Sequence, residues 1–176
     1  MGDPKKPRKQ YSTPRHPWRS EQLSRELYLI GIYGLRNKHE LQRSQTQLSK
    51  IRQRARIILG TKATHTSTAQ VQKEEAEFLT HLMRIGLIHE ATTIDDVLGL
   101  SIEEILDRRL QTIVVKKEIS SSPHQARQMI IHGHIAIGDR VSTIPGITVE
   151  SKDEGKVRIR EDSPMMKQIS APKSAE

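Results

Sequence analysis

Apolar residues recur at helical spacing over the first three quarters of the chain and then begin to alternate. Leu23, Leu27 and Ile30 predict a short amphipathic helix that stops near Gly31 or Gly34. Asn37 followed by Glu40 has the form of a capping box, in which two side chains satisfy each other's free backbone N–H groups at a helix start. Leu41, Leu48, Ile51, Ala55, Ile58 and Leu59 then carry an apolar stripe to Gly60. A Thr/Ser/Ala-rich connection at 61–69 leads to Val71, Phe78, Leu79, Leu82 and Ile85, a further helix closed by Gly86. Its Glu74, Glu75 and Glu77 read as first-turn acid suited to the helix dipole, with no functional role. Residues 87–100 read as a connector with one helical turn from Thr93 to Leu98.

Ser101 with Glu104 forms a second capping box and opens a helix whose Ile102, Ile105, Leu106, Leu110 and Ile113 face a core. On its other side Arg108, Thr112 and Lys116 line up at steps of four, with Arg109 and Lys117 beside them. Ser122, Pro123 and Gln125 fit the cap, first and third positions of the next helix, and Gly133 closes it. Ala126, Met129 and Ile130 point inward, leaving His124, Arg127, Gln128 and His132 outward. From His134 the period changes to two. Ile135 with Ile137, Val141, Ile147 with Val149, and Val157 with Ile159 read as short strands, separated at Gly138-Asp139, Pro145-Gly146 and Asp153 to Gly155.

The predicted class is α+β. An extended arm (1–20) and a small helical domain (21–100) precede a module (101–162) of two helices packed on a small, mostly antiparallel sheet, with a flexible C-terminal tail (163–176). Arg108, Arg109, Lys116, Arg127, Gln128 and Arg140 are expected together on one exposed face of that module.

Charge turns this outline toward a partner. The chain has 176 residues, 29 Lys and Arg against 21 Asp and Glu, and a net charge of +8, which favours a polyanion. Residues 1–60 hold fourteen basic against four acidic residues, 61–107 three against nine, and 108–176 twelve against eight, so two basic blocks flank an acidic middle. In the arm Lys5, Lys6, Arg8, Lys9, Arg15 and Arg19 are broken by four prolines that forbid regular structure, an arrangement suited to ordering against phosphate. The lone tryptophan, Trp18, is a large ring that a disordered tail has no need of and is expected to anchor the arm on the fold. Along the second helix Arg43, Lys50, Arg52, Arg54 and Arg56 offer cations to a phosphate backbone, balanced only by Glu40.

Exclusions follow from what is scarce. With no cysteine, disulfides, thiol nucleophiles and thiolate zinc sites are excluded. Aromatic residues at 3% argue against recognition by rows of stacked bases, so contacts are expected to go to backbone and shape. No apolar run approaches a spanning helix and the N-terminus lacks the apolar core of a signal peptide, so a cytosolic chain without a membrane partner is expected. His132 and His134 are the closest histidine pair, but Gly133 between them ends a helix, so no metal or other cofactor is expected. No nucleophile elbow, phosphate-binding glycine loop or dinucleotide fingerprint is present, and no catalytic role is assigned.

The stretch from Leu106 to Ile159, reading LDRRLQTIVVKKEISSSPHQARQMIIHGHIAIGDRV and onward, resembles the alpha-L RNA-binding motif of the family of small-subunit ribosomal protein four. HPW at 16–18, YGLRNKHEL at 33–41, IRQRAR at 51–56, IDDVLGL at 94–100, RRLQT at 108–112 and ARQMIIHGHI at 126–135 occur in the order expected of its archaeal and eukaryotic branch. The resemblance covers nearly the whole chain, and RRLQT combined with QAR and HGHI carries most of its specificity.

The resemblance implies a non-enzymatic constituent of the small ribosomal subunit. Such a protein is a primary binder of small-subunit ribosomal RNA at a junction of several RNA helices. It supports subunit assembly and translational accuracy beside the path by which mRNA enters, and it touches neighbouring proteins, notably small-subunit protein five. By the same resemblance Arg108, Arg109, Ser122, Arg127, Gln128, His132 and His134 fall on RNA-facing or loop-shaping positions. The segment STIPGIT at 142–148 departs from the more aromatic strand expected, and the cysteine-bound zinc of many bacterial relatives has no ligands here.

Two rivals remain to be weighed. An appended RNA grip on a pseudouridine synthase or tRNA synthetase needs a large catalytic domain, which about a hundred residues outside the module do not supply. A helix-turn-helix DNA reader needs more base-reading side chains than Arg127, Gln128 and two histidines.

Overall fold

The computed structural model describes residues 2, 5, 6, 8–64, 69–89 and 92–165, and the expected tail from residue 166 onward lies outside them. Among the described residues eight helices and one three-stranded antiparallel sheet form, so the chain is α+β. None of these helices is long and apolar enough to cross a membrane.

The first half is a helical packing built on one long element. Helix α1 (Ser20–Ile32) ends at Tyr33, where Gly34 at φ +56° turns the chain toward the next helix. Helix α2 (Lys38–Ala63) begins at Asn37, whose side chain accepts the Glu40 backbone N–H at 3.1 Å. It runs past the expected stop at Gly60, because one exposed glycine inside a helix costs only about 1 kcal/mol. Helix α3 (Ala69–Ile85) packs along it through Phe78 and Leu82. Helices α4 (Ile94–Gly99) and α5 (Ile102–Asp107) each start with a reciprocal capping box, Thr93 with Asp96 and Ser101 with Glu104. Leu48, Ala55, Ile58, Val97 and Ile105 join Phe78 and Leu82 in one core, and Leu29, Leu35, Leu41 and Leu106 form a smaller one under α1. The third helix starts at Ala69, so no acidic residue falls in its first turn, and Glu75 instead holds Lys62 of α2 at 2.6 Å.

The second half stacks α6 (Leu110–Lys116) and α7 (Pro123–Ile131) on a sheet of order β2-β1-β3. Strand β1 (Ile135–Ile137) pairs with both β2 (Arg140–Val141) and β3 (Val157–Ile159), with Ala136 opposite Val141 and Ile137 opposite Val157. Leu110, Ile113, Val114, Ala126, Met129, Ile130 and Ile135 fill the space between helices and sheet.

Three local expectations are corrected. The helix expected from Ser101 onward is broken at Arg108–Arg109, where Arg109 is extended (φ −75°, ψ 143°) and bridges Thr148. The segment expected as a strand at Ile147 and Val149 makes that break: Ile147 and Pro145 carbonyls accept from Leu110 and Gln111, and Val149 donates to the Arg108 carbonyl. It is therefore a clamp on the helix rather than a sheet strand, and it is followed by the short α8 (Ser151–Glu154). Trp18 does not anchor the arm, since it is 87% exposed. Of the expected flexible tail, Ser163 is buried and Met165 packs against the module core.

Candidate nucleic-acid interface

The helical rotation of 100° per residue sorts the cations of α2 before any partner is considered. Arg43, Gln47, Lys50 and Arg54 fall on one flank of the buried stripe, Arg52 and Arg56 on the other. Arg43 and Lys50 are exposed and make no hydrogen bond or ion pair among the described residues. Arg54 lies over the Phe78 ring, 5.1 Å from its centroid, with its guanidinium at the surface. Arg52 is drawn inward and donates to the Leu100 carbonyl at 2.7 Å, tying α2 to α4, and Arg56 donates to the Arg52 carbonyl at 3.3 Å.

The basic arm returns onto this helix. The Ser12 backbone N–H donates to Thr46 Oγ1 at 3.1 Å, and the Tyr11 ring lies 4.9 Å from that of His39. Lys9 caps the Tyr11 ring at 4.7 Å, and Lys5, Lys6 and Arg8 are exposed. Charge from the arm is thus delivered beside charge from α2.

In the C-terminal module the expected exposed face separates into outward and inward residues. His124, Gln128, His132 and Arg140 are exposed. Lys116 is exposed but holds Asp107 at 2.9 Å, and Asp107 also accepts from the Tyr33 hydroxyl at 3.0 Å. Burial, reinforced by Asp107, pushes the Tyr33 phenol above its ordinary pKa, so it stays a donor. Three arginines expected outward are corrected. Arg109 is only 7% exposed and donates to Glu40 at 2.8 Å. Arg127 donates to the same carboxylate and to the Gly34 carbonyl at 3.2 Å. Arg108 spreads its guanidinium over the Ile85 carbonyl, Glu154 and the Val149 carbonyl. The physical reason is the helix break: once Arg109 is extended, the steps of four from Arg108 to Lys116 no longer share a helix face.

The remaining candidates shape the module. Thr112 Oγ1 donates to the Leu106 carbonyl at 2.7 Å, across the break. Ser122 caps α7 by accepting the Gln125 N–H at 3.2 Å. His134 shares a 3.0 Å hydrogen bond with Ser163, and its ring lies 6.2 Å from that of His132. Among the described residues no three His, Asp or Glu side chains form a metal-binding group.

Two residues at the centre were missed by sequence reasoning. The spacing assigns Glu40 to a helix cap, yet its carboxylate serves Arg109 and Arg127. Burial opposes its ionisation, but hydrogen bonds and attraction from the two arginines outweigh this and hold the carboxyl below its usual range. Gln111 is buried, and its amide nitrogen meets the carbonyls of Tyr33, Gly34 and Pro123 at 2.8–3.1 Å. The available signal was a polar residue between Leu110 and Ile113, where an amide is tolerated only if every hydrogen bond is met. A crevice of about 220 Å³ opens beside this cluster, with Arg43 and Gln47 of α2 on one wall and Ile144, Gly146 and Thr148 on the other.

Helices α6 and α7 on the small antiparallel sheet, joined to the helical unit across this crevice, have the architecture of an S4 domain, an RNA-binding module. The S4 domain family model matches residues 108–154, the module just described. The small ribosomal subunit protein uS4 of Thermoplasma acidophilum is 47% identical over 169 residues, covering 96% of this chain and 84% of that protein. The same protein of Methanothermobacter thermautotrophicus is 43% identical over 176 residues and covers both chains completely. That of Hyperthermus butylicus is 46% identical over 167 residues, 95% of this chain and 92% of its own. The chain belongs to the family of small ribosomal subunit protein uS4. Its members are ribosomal proteins rather than enzymes, in keeping with the non-enzymatic expectation.

Proposed function

We propose that this chain is a structural constituent of the small ribosomal subunit, working in the cytoplasm, and that it binds small-subunit ribosomal RNA as a primary, early-joining protein at a multi-helix junction. The observation that carries the reading is the crevice where Arg43 and Gln47 of α2 face Ile144 and Gly146 of the module. There Arg43, unpaired among the described residues, stands beside the module's 144–148 segment, so a folded RNA held by that cation meets both units. Lys5, Lys6, Arg8, Lys9, Arg43, Arg54, His124, Gln128, His132 and Arg140 are the residues proposed to touch RNA directly, with Lys50 added. Arg52, Arg56, Arg108, Arg109, Thr112, Lys116, Ser122, Arg127 and His134 are proposed to shape the surface that those residues occupy. The same reading divides the chain into arm, helical unit, module and tail, with Ser163 and Met165 joined to the module.

Support for a protein neighbour, small-subunit protein five included, comes from α1, where Leu27, Tyr28 and Ile32 are exposed apolar side chains. Proximity to incoming mRNA and a part in accuracy are proposed on the family resemblance. Titrating a junction fragment of small-subunit RNA and a duplex DNA of equal length over a series of salt concentrations tests the reading. Tighter binding of the junction at every salt is expected; equal affinity for both would remove it.

A further inference from the structure

One carboxylate of the first half, Glu40, holds two arginines of the second, whereas Arg84 and Glu150 form a single and more exposed pair between the halves. Glu40 comes from the first turn of α2, Arg109 from the break between α5 and α6, and Arg127 from the middle of α7. Arg109 Nη2 donates to Oε2 at 2.8 Å, and Arg127 grips both carboxylate oxygens. The three side chains are 16%, 8% and 15% exposed, so water does little to screen them.

Although a crevice opens beside it, this arrangement is pressed closely by its surroundings. Arg127 Nη1 also donates to Gln111 Oε1 at 3.2 Å, and Gln111 in turn binds the carbonyls at the α1–α2 turn. A side chain at Gly34 would place its Cβ 2.7 Å from Pro123 Cβ, and one at Gly146 would place its Cβ 2.9 Å from Arg109 Nη2. Both backbones approach as far as glycine allows. A guanidinium cannot shed its proton, so the two arginines require a resident anion whether or not RNA is present.

We propose that Glu40 is a positioning residue for RNA binding. It takes the two guanidiniums that the spacing of the module would offer to phosphate, and by holding them it fixes α7 against α2 so that Arg43 and Lys50 of α2, together with His124 and Gln128 of α7, meet a polymer as one rigid surface. This rests on the RNA-binding reading above. Pre-set geometry spares a bound RNA the cost of ordering two bodies, so its loss lowers affinity without removing any phosphate contact. That signature separates positioning from contact, because each lost phosphate contact lowers the logarithmic salt slope by about 0.9 on duplex-like RNA.

The natural chain has no cysteine, so Ser49→Cys on α2 and Ile131→Cys on α7, both exposed, take spin labels without competition. In free protein a single narrow label distance is expected, broadened by Glu40→Gln. In RNA titrations across salt, Glu40→Gln is expected to bind about tenfold more weakly at an unchanged slope. The triple variant Glu40→Leu, Arg109→Met, Arg127→Met replaces the ionic cluster by apolar packing and is expected to recover both the narrow distance and the affinity, again at unchanged slope. It decides the matter should Glu40→Gln fail to fold. A slope lowered by about two units in the triple variant would show the arginines reaching phosphate and overturn the proposal. So would a Glu40→Gln protein with a narrow distance and undiminished affinity. A natural chain without any preference for the RNA would instead sink the functional reading, with the label distances still reporting on the clasp.

Discussion

Two sets of arginines and lysines in this protein have the same chemistry and opposite fates. Those on the outer flank of α2 and in the arm are exposed to solvent, with Arg43 and Lys50 unpartnered among the described residues and Lys9 and Arg54 resting only on aromatic rings. Those at the heart of the module, Arg108, Arg109 and Arg127, are spent on carboxylates and carbonyls of the protein itself. The difference lies in where backbone is left short of partners. On that outer flank of α2 the carbonyls are satisfied by the helix and Arg43 and Lys50 find no backbone partner, whereas on the opposite flank Arg52 and Arg56 are taken by the Leu100 and Arg52 carbonyls. At the break between α5 and α6, and at the turn through Gly34, carbonyls and a carboxylate face inward and capture whichever donors are within reach. Density of positive charge is therefore a poor guide to an RNA surface unless the local backbone is already satisfied.

The contrast is broken most directly at Arg127. Removing it by alanine leaves Glu40 half-paired and the Gly34 carbonyl with one donor fewer, and should cost about 3 kcal/mol, within the range for breaking a largely buried ion pair. Thermal unfolding should show it as a fall of roughly 6–12 °C. An unmoved Tm with a lowered salt slope for RNA would place Arg127 in the other set. Acid offers a milder version of the same loss. Because the Glu40 pKa is depressed on folding, its contribution is complete above the ordinary glutamate range and drains away as pH falls through the folded value. The acid limb of a stability–pH profile should therefore be shallower in Glu40→Gln than in the natural chain.

The opposite behaviour is expected from the double variant Arg43→Ala, Lys50→Ala. Its stability should stay within about 0.5 kcal/mol of the natural chain, since exposed unpaired cations contribute little to the fold. Its salt slope for junction RNA should fall by roughly 1.8 if both touch phosphate. A smaller and purely local effect is expected from Ser122→Ala, which loses the cap of α7 and about 1 kcal/mol of stability. Circular dichroism during urea unfolding would register it, and the slope for RNA should not change.

Much of this was legible beforehand because the deciding interactions are local. Asn37, Ser101 and Ser122 cap helices where their spacing placed them, and Gly86 and Gly133 adopt positive φ where a helix had to stop. What escaped was set by distant chain. The break at Arg108–Arg109 depends on hydrogen bonds to residues 145–149, and Glu40 meets partners 69 and 87 residues away. No window of helical periodicity contains either fact. Arg109 and Arg127 carried the right charge for RNA, and only the folded chain reveals an anion of its own waiting for them.

The hydrogen bond between Ser12 and Thr46 has a consequence for the kinetics of capture. It moors the arm seven residues beyond Lys5, so that this lysine can sweep only about 25 Å from α2, at roughly 3.5 Å per extended residue. Where RNA is held at Arg43, as proposed above, it meets the arm at an effective concentration in the millimolar range rather than as a fresh encounter. The second grip becomes a short intramolecular search, and release requires both tethers to let go at once.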